Sequence, residues 1–228
     1  MNAVIRAPVA VVLDIEGTVG SIRFVKEVLF PFARSRLRPF VLAHRTQPEV
    51  VGLLDAVRAE TGVADLDGQI DQLERWSDAD RKITPLKALQ GLVWAGGYAS
   101  GELVAHLYDD ALAALQRWAA ARLPVYIYSS GSIAAQKLYF AHTRAGDLTP
   151  GLAGYFDTTT GPKQEAASYR RIAAAIGRPA GDLLFLSDVA AELEAAAAAG
   201  FQAVQVRREP PVDGLFEPSI TTFDQLPT

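Results

Sequence analysis

The chain contains a continuous run of apolar, mostly β-branched residues, Val9 to Leu13 (VAVVL), that ends directly in an acidic residue. That residue is Asp14, and a second acid, Glu16, follows two positions later. A run that is apolar at every position, rather than at alternate positions, is typical of a strand buried on both faces of a parallel sheet. The sequence therefore predicts a first strand whose carboxyl end brings two acids to one edge of a sheet.

Further short apolar runs recur in the second half of the chain and are separated by helical patterns. The predicted strands are Leu123–Tyr128, Phe156–Thr160, Asp182–Leu186 and Phe201–Val206. The predicted helices are Asp109–Arg122, Ile133–Thr143, Lys163–Ile176 and an alanine-rich helix that Gly200 caps. Strands that alternate with helices of roughly a dozen residues favour an α/β fold with a parallel, doubly wound, Rossmann-like sheet.

The stretch between the first strand and this alternating region has helical patterns and no convincing strand. Helical patches are predicted over Phe24–Ala43, where Pro31 and Pro39 interrupt the pattern, and over Pro48–Glu60, Ile70–Asp80 and Thr84–Ala95. Ser77 and Thr84 have the residue types of helix starts, and the glycines of Gly96–Leu103 indicate a loop. We therefore expect an all-helical insertion over 21–101, within an α/β core formed by 1–20 and 102–228.

Composition excludes several classes of function. The sequence has 22 basic and 26 acidic side chains, a net charge of −4, and scattered Lys and Arg, so a nucleic-acid partner is not expected. It has no cysteine, which excludes disulfides, thiolate metal sites and cysteine nucleophiles. The three histidines, His44, His106 and His142, lack the spacing of zinc ligands, and no GxSxG elbow surrounds Ser129.

No apolar run approaches the roughly 18 residues that a membrane-spanning helix needs. Met1 to Ala10 does not have the pattern of a secretory signal. We expect a cytoplasmic protein without a membrane partner.

Polar side chains follow the predicted strands or open the next helix, and this set carries the chemistry. It comprises Asp14, Glu16, Ser129, Ser130, Lys163 and Asp188. Ligands of open parallel sheets bind outside the carboxyl ends of the strands, so these side chains are expected to share one crevice. Three acids suit a hard cation such as Mg²⁺, and hydroxyl and ammonium groups suit a phosphoryl group. A carboxylate next to Mg²⁺ can attack phosphorus, so the set predicts a phosphatase that works through an aspartyl phosphate.

Each member of the set also has a structural interpretation when it is taken alone. Asp14 and Glu16 could be solvated acids at a strand exit, and Ser129 and Ser130 could cap the next helix. Lys163 could be a surface lysine, and Asp188 or Ser187 could cap the alanine-rich helix. Their expected convergence at one edge of the sheet is what favours a functional site. Three further acids, Asp182, Glu192 and Glu194, are interpreted as ordinary helix or loop surface charges.

Four segments in this order, DIEGT, YSSGS, GPKQEAASY and FLSD, resemble the four motifs of the haloacid dehalogenase superfamily. The first motif usually has Asp where this chain has Glu16. That variant, with YSSGS, QKLYF and DRKITPLKALQGLVW, resembles the enolase-phosphatase (acireductone synthase) family. The resemblance runs from about Val9 to Phe223.

The resemblance implies a role for each motif residue. Asp14 would be the nucleophile and a Mg²⁺ ligand, with Glu16 and Asp188 as the other ligand positions. Ser129 and Ser130 would hold the substrate phosphate. Lys163 would bind the same phosphate and keep Asp14 ionised.

The resemblance also implies a monomer and a substrate, 2,3-diketo-5-methylthiopentyl 1-phosphate. The substrate would be enolised and then dephosphorylated to the acireductone of methionine salvage. Two other functions stay open at this point: a different phosphatase or phosphotransferase of the superfamily, and a non-catalytic phosphate-binding protein on the same fold.

Enolisation requires a base for a carbon-bound proton and an electrophile at the carbonyl group. Lys82, Lys87, Gln90 and Trp94 are candidates in the insertion, and the last three share one face of a helix. Lys87 is the candidate for substrate binding. Lys82 belongs to a DRK run, and such a charge run is most often a solvated face. Between Glu16 and an insertion lysine the base stays open, and our hypothesis is Glu16, whose longer side chain reaches further than Asp.

Overall fold

The computed structural model describes residues 5–208 and 214–226. The chain divides into two compact units, which we call the core unit, Met1–Ile22 with Ala105–Thr228, and the helical unit, Arg23–Val104. The insertion predicted from the sequence, 21–101, differs from the helical unit by a few residues at each end.

The core unit contains a six-stranded sheet in the order β3-β2-β1-β4-β5-β6, and every neighbouring pair is parallel. The strands are β1 (Ala10–Leu13), β2 (Val125–Tyr128), β3 (Gly154–Phe156), β4 (Leu183–Ser187), β5 (Gln202–Val206) and β6 (Ser219–Ile220). The predicted Rossmann-like α/β fold is confirmed. Strand order reverses at β1, which lies between β2 and β4, and such a switch point is where open α/β sheets bind ligands.

The central strands are buried along their whole length, as their uninterrupted apolar sequence predicts. All residues of β1 and β4 are buried, and Leu13 pairs with both Ile127 and Leu186. Aromatic rings extend this core, since the rings of Tyr169 and Phe185 meet edge to face at 5.0 Å. The register places the residues that follow β1, β2 and β4 side by side.

The helices of the core unit are α6 (Asp109–Ala120), α7 (Ile133–Ala141), α8 (Ala166–Ile176) and α9 (Ala190–Ala198). Helix α8 begins three residues after Lys163, so Lys163 lies in a turn and not at the helix start that the sequence predicted.

Strand β3 ends at Phe156, and the predicted strand Phe156–Thr160 is wrong after that residue. Asp157 Oδ1 accepts hydrogen bonds from Thr159 N and Oγ1 at 2.8 and 2.6 Å, which folds the segment into a turn. Strand β6 was not predicted, because two residues are too few to show a periodic pattern.

Every regular element of the helical unit in the described residues is a helix, and no strand occurs among them. The helices are α1 (Ile22–Phe24), which starts at the end of the core unit, a π-helical turn (Val25–Leu29), α2 (Phe30–His44), α3 (Pro48–Thr61), α4 (Leu66–Asp78) and α5 (Thr84–Ala99). Its own core contains apolar residues of α2 to α5, among them Leu37, Val57, Leu73 and Leu89.

Helix α2 is not interrupted by its prolines, contrary to the sequence prediction. Pro31 is the second residue of α2 and follows the π-helical turn, in which Phe30 N donates to Val25 O, and a local widening of this kind accommodates a proline without ending the helix. Pro39 and Ser35, whose carbonyl group the proline leaves without a helical partner, both lie on the exposed side. Water can replace that bond, so the helix continues.

Two other helix boundaries differ from the prediction. Ser77 lies in the last turn of α4, and the cap of that helix is Asp65, whose Oδ1 accepts from Gly68 N at 2.7 Å. Helix α5 continues through Gly96 and Gly97 instead of ending in a loop. A methyl group at Gly97 would lie 2.6 Å from Phe32 Cε1, so this glycine allows close packing inside the unit.

Among residues 5–208 and 214–226, none of the helices combines the length and hydropathy that crossing a lipid bilayer requires.

Candidate active site

A buried ion pair lies at the carboxyl edge of the sheet. Lys163 Nζ is 2.6 Å from Asp14 Oδ1, and the two side chains are only 9% and 3% exposed. Asp14 N also donates to Leu186 O at 3.0 Å, which anchors the strand exit to β4. The structure thus brings together the acid after β1 and the lysine after β3, which are separated by most of the chain.

Glu192 is the second partner of the lysine, and its sequence interpretation as a surface charge is wrong. Its Oε2 lies 2.7 Å from Lys163 Nζ and accepts from Ser187 Oγ at 2.9 Å. Glu192 stands in the first turn of α9, one turn after Asp188, so its side chain is directed back to the strand end. The usable sequence signal was an acid four positions after a strand-end acid.

The charges of this cluster perturb one another. Burial by itself lowers the pKa of Lys163, but the carboxylates of Asp14 and Glu192 outweigh it, so the pKa is raised and the ammonium stays charged. Burial and the charge of Asp14 raise the pKa of Glu192 to about 7. Burial, followed by Asp14, also raises the pKa of Asp188 to about 7.

Glu16 is linked to Ser129, the residue after β2. Ser129 Oγ donates to Glu16 Oε2 at 3.2 Å and accepts from Gly131 N at 3.1 Å. Burial and the charge of Asp14 raise the pKa of Glu16. The hydroxyl group of Ser129 thus connects the Glu16 carboxyl group to the backbone of the loop after β2.

The turn after Glu16 lies directly against Asp188. Gly17 has a φ of +77°, and a methyl group there would lie 2.6 Å from Asp188 Cγ. A glycine is required at this position by both its backbone conformation and its lack of a side chain. Asp188 Oδ1 is buried, and no hydrogen-bond partner for it occurs in the described residues.

The oxygen atoms at this edge fit a hard cation. The charge of Asp14 raises the cost of ionising Asp188, and the buried Oδ1 of Asp188 has no donor among the described residues, so a cation would offset the charge and bind that oxygen. Within residues 5–208 and 214–226, no three His, Asp or Glu side chains are already arranged as a metal-binding group. The carboxyl group of the third predicted ligand, Glu16, accepts a hydrogen bond from Ser129 Oγ.

Two other predicted site residues, Ser130 and Lys87, lie in a loop and on a helix. Ser130 is exposed in the loop between β2 and α7, and it is Ser132, not Ser129 or Ser130, that caps α7 by accepting from Ala135 N at 3.3 Å. Lys87 lies half-buried on α5, in the helical unit.

The other insertion candidates are also in the helical unit. Gln90 is buried on α5, and Trp94 Nε1 donates to Leu29 O at 2.8 Å, so Trp94 has a structural role there. Lys82 is exposed before α5 begins.

Comparison with known proteins gives a consistent set of relatives. A family model described as haloacid dehalogenase-like hydrolase matches residues 9–200. The chain is 54% identical over 220 residues to "Enolase-phosphatase E1" of Pseudomonas aeruginosa (strain UCBPP-PA14), which covers 95% of this chain and 97% of the relative. It is 55% identical over 196 residues to the protein of the same name from Stenotrophomonas maltophilia (strain K279a), covering 86% and 85%.

Solved structures extend the comparison. The crystal structure of the UTR4 protein of Saccharomyces cerevisiae superimposes with a TM-score of 0.81 at 35% identity, over 96% of this chain and all of that one (100%). CbbY of Rhodobacter sphaeroides in complex with phosphate has a TM-score of 0.60 at 14% identity, over 96% of each chain, which is a likeness of fold.

Proposed function

Because this chain belongs to the enolase-phosphatase E1 family of haloacid dehalogenase-like hydrolases, we propose that it enolises and then dephosphorylates 2,3-diketo-5-methylthiopentyl 1-phosphate. The products are phosphate and the acireductone 1,2-dihydroxy-3-keto-5-methylthiopentene, in methionine salvage. The observation that carries the proposal is the buried pair of Asp14 and Lys163, at 2.6 Å, at the carboxyl end of the switch-point strand β1.

Asp14 is the proposed nucleophile. A carboxylate oxygen of Asp14 forms a bond to phosphorus while the bond from phosphorus to the substrate oxygen breaks, and the leaving oxygen takes up a proton from a second carboxyl group of the site. Water then attacks the phosphorus of the aspartyl phosphate and loses its proton to that second carboxylate, and phosphate and the free Asp14 carboxylate are released. Lys163 keeps Asp14 anionic and, with Ser129 and Ser130, holds the phosphate oxygens.

Mg²⁺ is the proposed cofactor, held by Asp14 and Asp188 with Glu16 as a further ligand position. Asp188 Oδ1, which has no hydrogen-bond partner in the part of the chain that the structure describes, and the raised pKa of its carboxyl group support this assignment. When it is bound, the cation neutralises phosphate oxygens and reduces the repulsion between the nucleophile and its anionic target.

Glu16 is the proposed base for enolisation, with Lys82 and Lys87 as the alternatives. Its raised pKa makes the Glu16 carboxylate a stronger base than an ordinary glutamate, which suits a group that takes a proton from carbon. A Glu16→Asp variant should lose enolisation more than phosphatase turnover, because Asp reaches less far. Equal loss of both activities would contradict this role.

The helical unit is proposed to act as a cap that excludes water from the enol intermediate, with Lys87 contributing to substrate binding. We further propose that the enzyme acts as a monomer in the cytoplasm. The support for this assignment is its membership of a family with bacterial enolase-phosphatase relatives.

The decisive experiment follows ultraviolet absorbance and phosphate release together with the diketone phosphate and Mg²⁺. Wild type should give an enol absorbance change and phosphate, and Asp14→Asn should release no phosphate. Phosphate release without the enol signal would instead identify another phosphatase of the family. Binding without hydrolysis of any phosphomonoester would identify a phosphate-binding protein, and full phosphatase activity in Asp14→Asn would overturn the aspartyl-phosphate mechanism.

A further inference from the structure

The loop between β2 and α7, residues 129–132, is the segment to which the proposed function assigns the substrate phosphate. Its buried hydroxyl group, that of Ser129, donates to Glu16 and accepts from Gly131 N. Phosphate recognition in such a loop therefore depends strongly on where its backbone N–H groups point. The direction of those groups is set by whatever fixes the peptide planes of the loop.

Gln136, in α7, contacts that loop from its buried side. The side chain is 2% exposed, and its Nε2 donates to Gly131 O at 2.8 Å and to Phe156 O at 2.9 Å. Phe156 O, at the end of β3, also accepts from Ser129 N at 3.3 Å. A single amide group thus ties the loop to the end of the neighbouring strand.

The orientation of the Gln136 amide follows from these partners. Its Oε1 is buried and has no partner within the described residues, a costly arrangement. The reversed amide would place Oε1 against the carbonyl oxygens of Gly131 and Phe156, which repel it. The Nε2 group of Gln136 must therefore face the two carbonyl oxygens and donate to them, although this leaves its own Oε1 without a partner in the described residues.

The consequence for the loop follows from the planarity of the peptide unit. Because the carbonyl group of Gly131 points to Gln136, the N–H group of Ser132 in the same peptide points to the opposite side. Asp157 Oδ2 acts in the same region by accepting from Ile133 N at 3.2 Å. Gln136 and Asp157 together keep the first turn of α7 and the loop in one conformation.

We propose that Gln136 is a positioning residue for phosphate binding, which acts by fixing the peptide planes of the 129–132 loop rather than by touching the substrate. This inference rests on the proposed function, since it assumes that the loop binds the substrate phosphate. It goes beyond that function because the glutamine has no proton-transfer, nucleophilic or metal-binding part in it.

The test compares Gln136→Met and Gln136→Glu with wild type, all with Mg²⁺ present. Met has nearly the same length and donates nothing, so KM for the phosphate ester and the Kd of inorganic phosphate by calorimetry should rise at least about fivefold. The loop binds phosphate in both ground state and transition state, so kcat should stay within about threefold. A merely structural defect would lower kcat or the active fraction and leave Kd unchanged.

The Gln136→Glu variant adds a pH signature. Its carboxylate, when ionised, would repel both carbonyl oxygens, but the protonated carboxyl group donates one hydrogen bond. Phosphate affinity relative to wild type at the same pH should therefore improve from pH 8 to pH 6 in Gln136→Glu and stay constant in Gln136→Met. Lys137→Met, at the adjacent exposed position of α7, is the control and should bind phosphate within about twofold of wild type.

The outcomes distinguish failure of the proposed function from failure of the positioning role of Gln136. If wild type neither binds phosphate nor hydrolyses the ester, the proposed function fails. If wild type does both and Gln136→Met binds phosphate equally well, the positioning role is overturned. Circular dichroism and thermal melting of the two variants show that they are folded, and loss of affinity in a folded Gln136→Met supports the role.

Discussion

Glu192 Oε2 lies 2.7 Å from Lys163 Nζ, whose other partner is the nucleophile candidate Asp14 at 2.6 Å. The lysine is therefore held by two carboxylates in a place that excludes most water. Buried charges of this kind persist only when they are paired, and removal of Glu192 would leave Lys163 with Asp14 as its one remaining partner of this pair. This relationship makes Glu192 a residue that orients the proposed catalytic lysine.

Glu192→Gln keeps the shape of the side chain and removes its charge. We expect kcat to fall about tenfold or more, because an ammonium group with one anionic partner is less well fixed, as for other residues that orient a site. Glu194→Gln, on the exposed side of the same helix, is the control and should have wild-type kcat. Wild-type kcat in Glu192→Gln would exclude the orienting role.

The stability of the metal-free protein should fall as pH rises from about 4 to about 7. Asp188 and Glu192 have pKa values raised to about 7 in the folded state, against 3.8 and 4.5 as their ordinary values. Between these limits the folded state binds more protons than the unfolded state, so the free energy of unfolding decreases with pH and levels off above about 7.

Urea midpoints measured from pH 5 to pH 8 with a chelator would show this decrease. Asp188→Asn should have a flatter profile than wild type, and Glu194→Gln should keep the wild-type slope. Excess Mg²⁺ should raise the midpoint most at pH 8, where Asp188 would otherwise be an uncompensated anion. Parallel profiles for wild type and Asp188→Asn would show that Asp188 has an ordinary pKa.

Replacing the adjacent glycines of α5, Gly96 and Gly97, by alanine should change the free energy of unfolding in opposite directions. Gly97→Ala would place a methyl group 2.6 Å from Phe32 Cε1 and 2.9 Å from Leu103 Cδ1, so the free energy of unfolding should drop by about 1–3 kcal/mol. Gly96→Ala meets no atom within 4 Å and should raise it by up to about 1 kcal/mol, because alanine favours the helix. Urea denaturation of both variants checks the pair, and equal effects would contradict the packing of α5 on Phe32.

Arg208 should contribute far more to stability than an exposed arginine. Its Nε donates to Thr18 O at 3.0 Å and its guanidinium group lies 2.7 Å from Asp110 Oδ2, with only 8% of the side chain exposed. Arg208→Met should lower the free energy of unfolding by about 3 kcal/mol, because Asp110 is left without its cation. Arg117→Met, whose partner Asp224 is well exposed, should cost less than about 1 kcal/mol in the same urea titration.

Much of the core fold was predictable from local patterns. The uninterrupted apolar run before Asp14 and the strand before Ser187 identify buried parallel strands, because a short segment that is apolar at every position suits burial on both faces of a sheet. The convergence of strand-end residues followed from the same pattern, since parallel strands share one carboxyl edge. Asp14 and Lys163 are indeed paired there.

The parts that sequence patterns missed depend on contacts between distant segments. The glycines at 96 and 97 look like a loop, but the second of them accommodates the ring of Phe32 within a helix. Likewise, the spacing of Glu192 from Asp188 was a local signal, but no local pattern showed that Glu192 meets Lys163 while Glu194 stays exposed.

The sequence by itself determined the class of sheet, the acids and lysine at its edge, and the family whose motifs they match. Only the tertiary structure decided that Glu192 is a second anionic partner of Lys163, that Ser129 donates a hydrogen bond to Glu16, and that Gln136 contacts the neighbouring loop. The reason is physical: periodic burial is a property of neighbouring residues along the chain. Hydrogen bonds and ion pairs depend on atoms that meet only after the chain has folded.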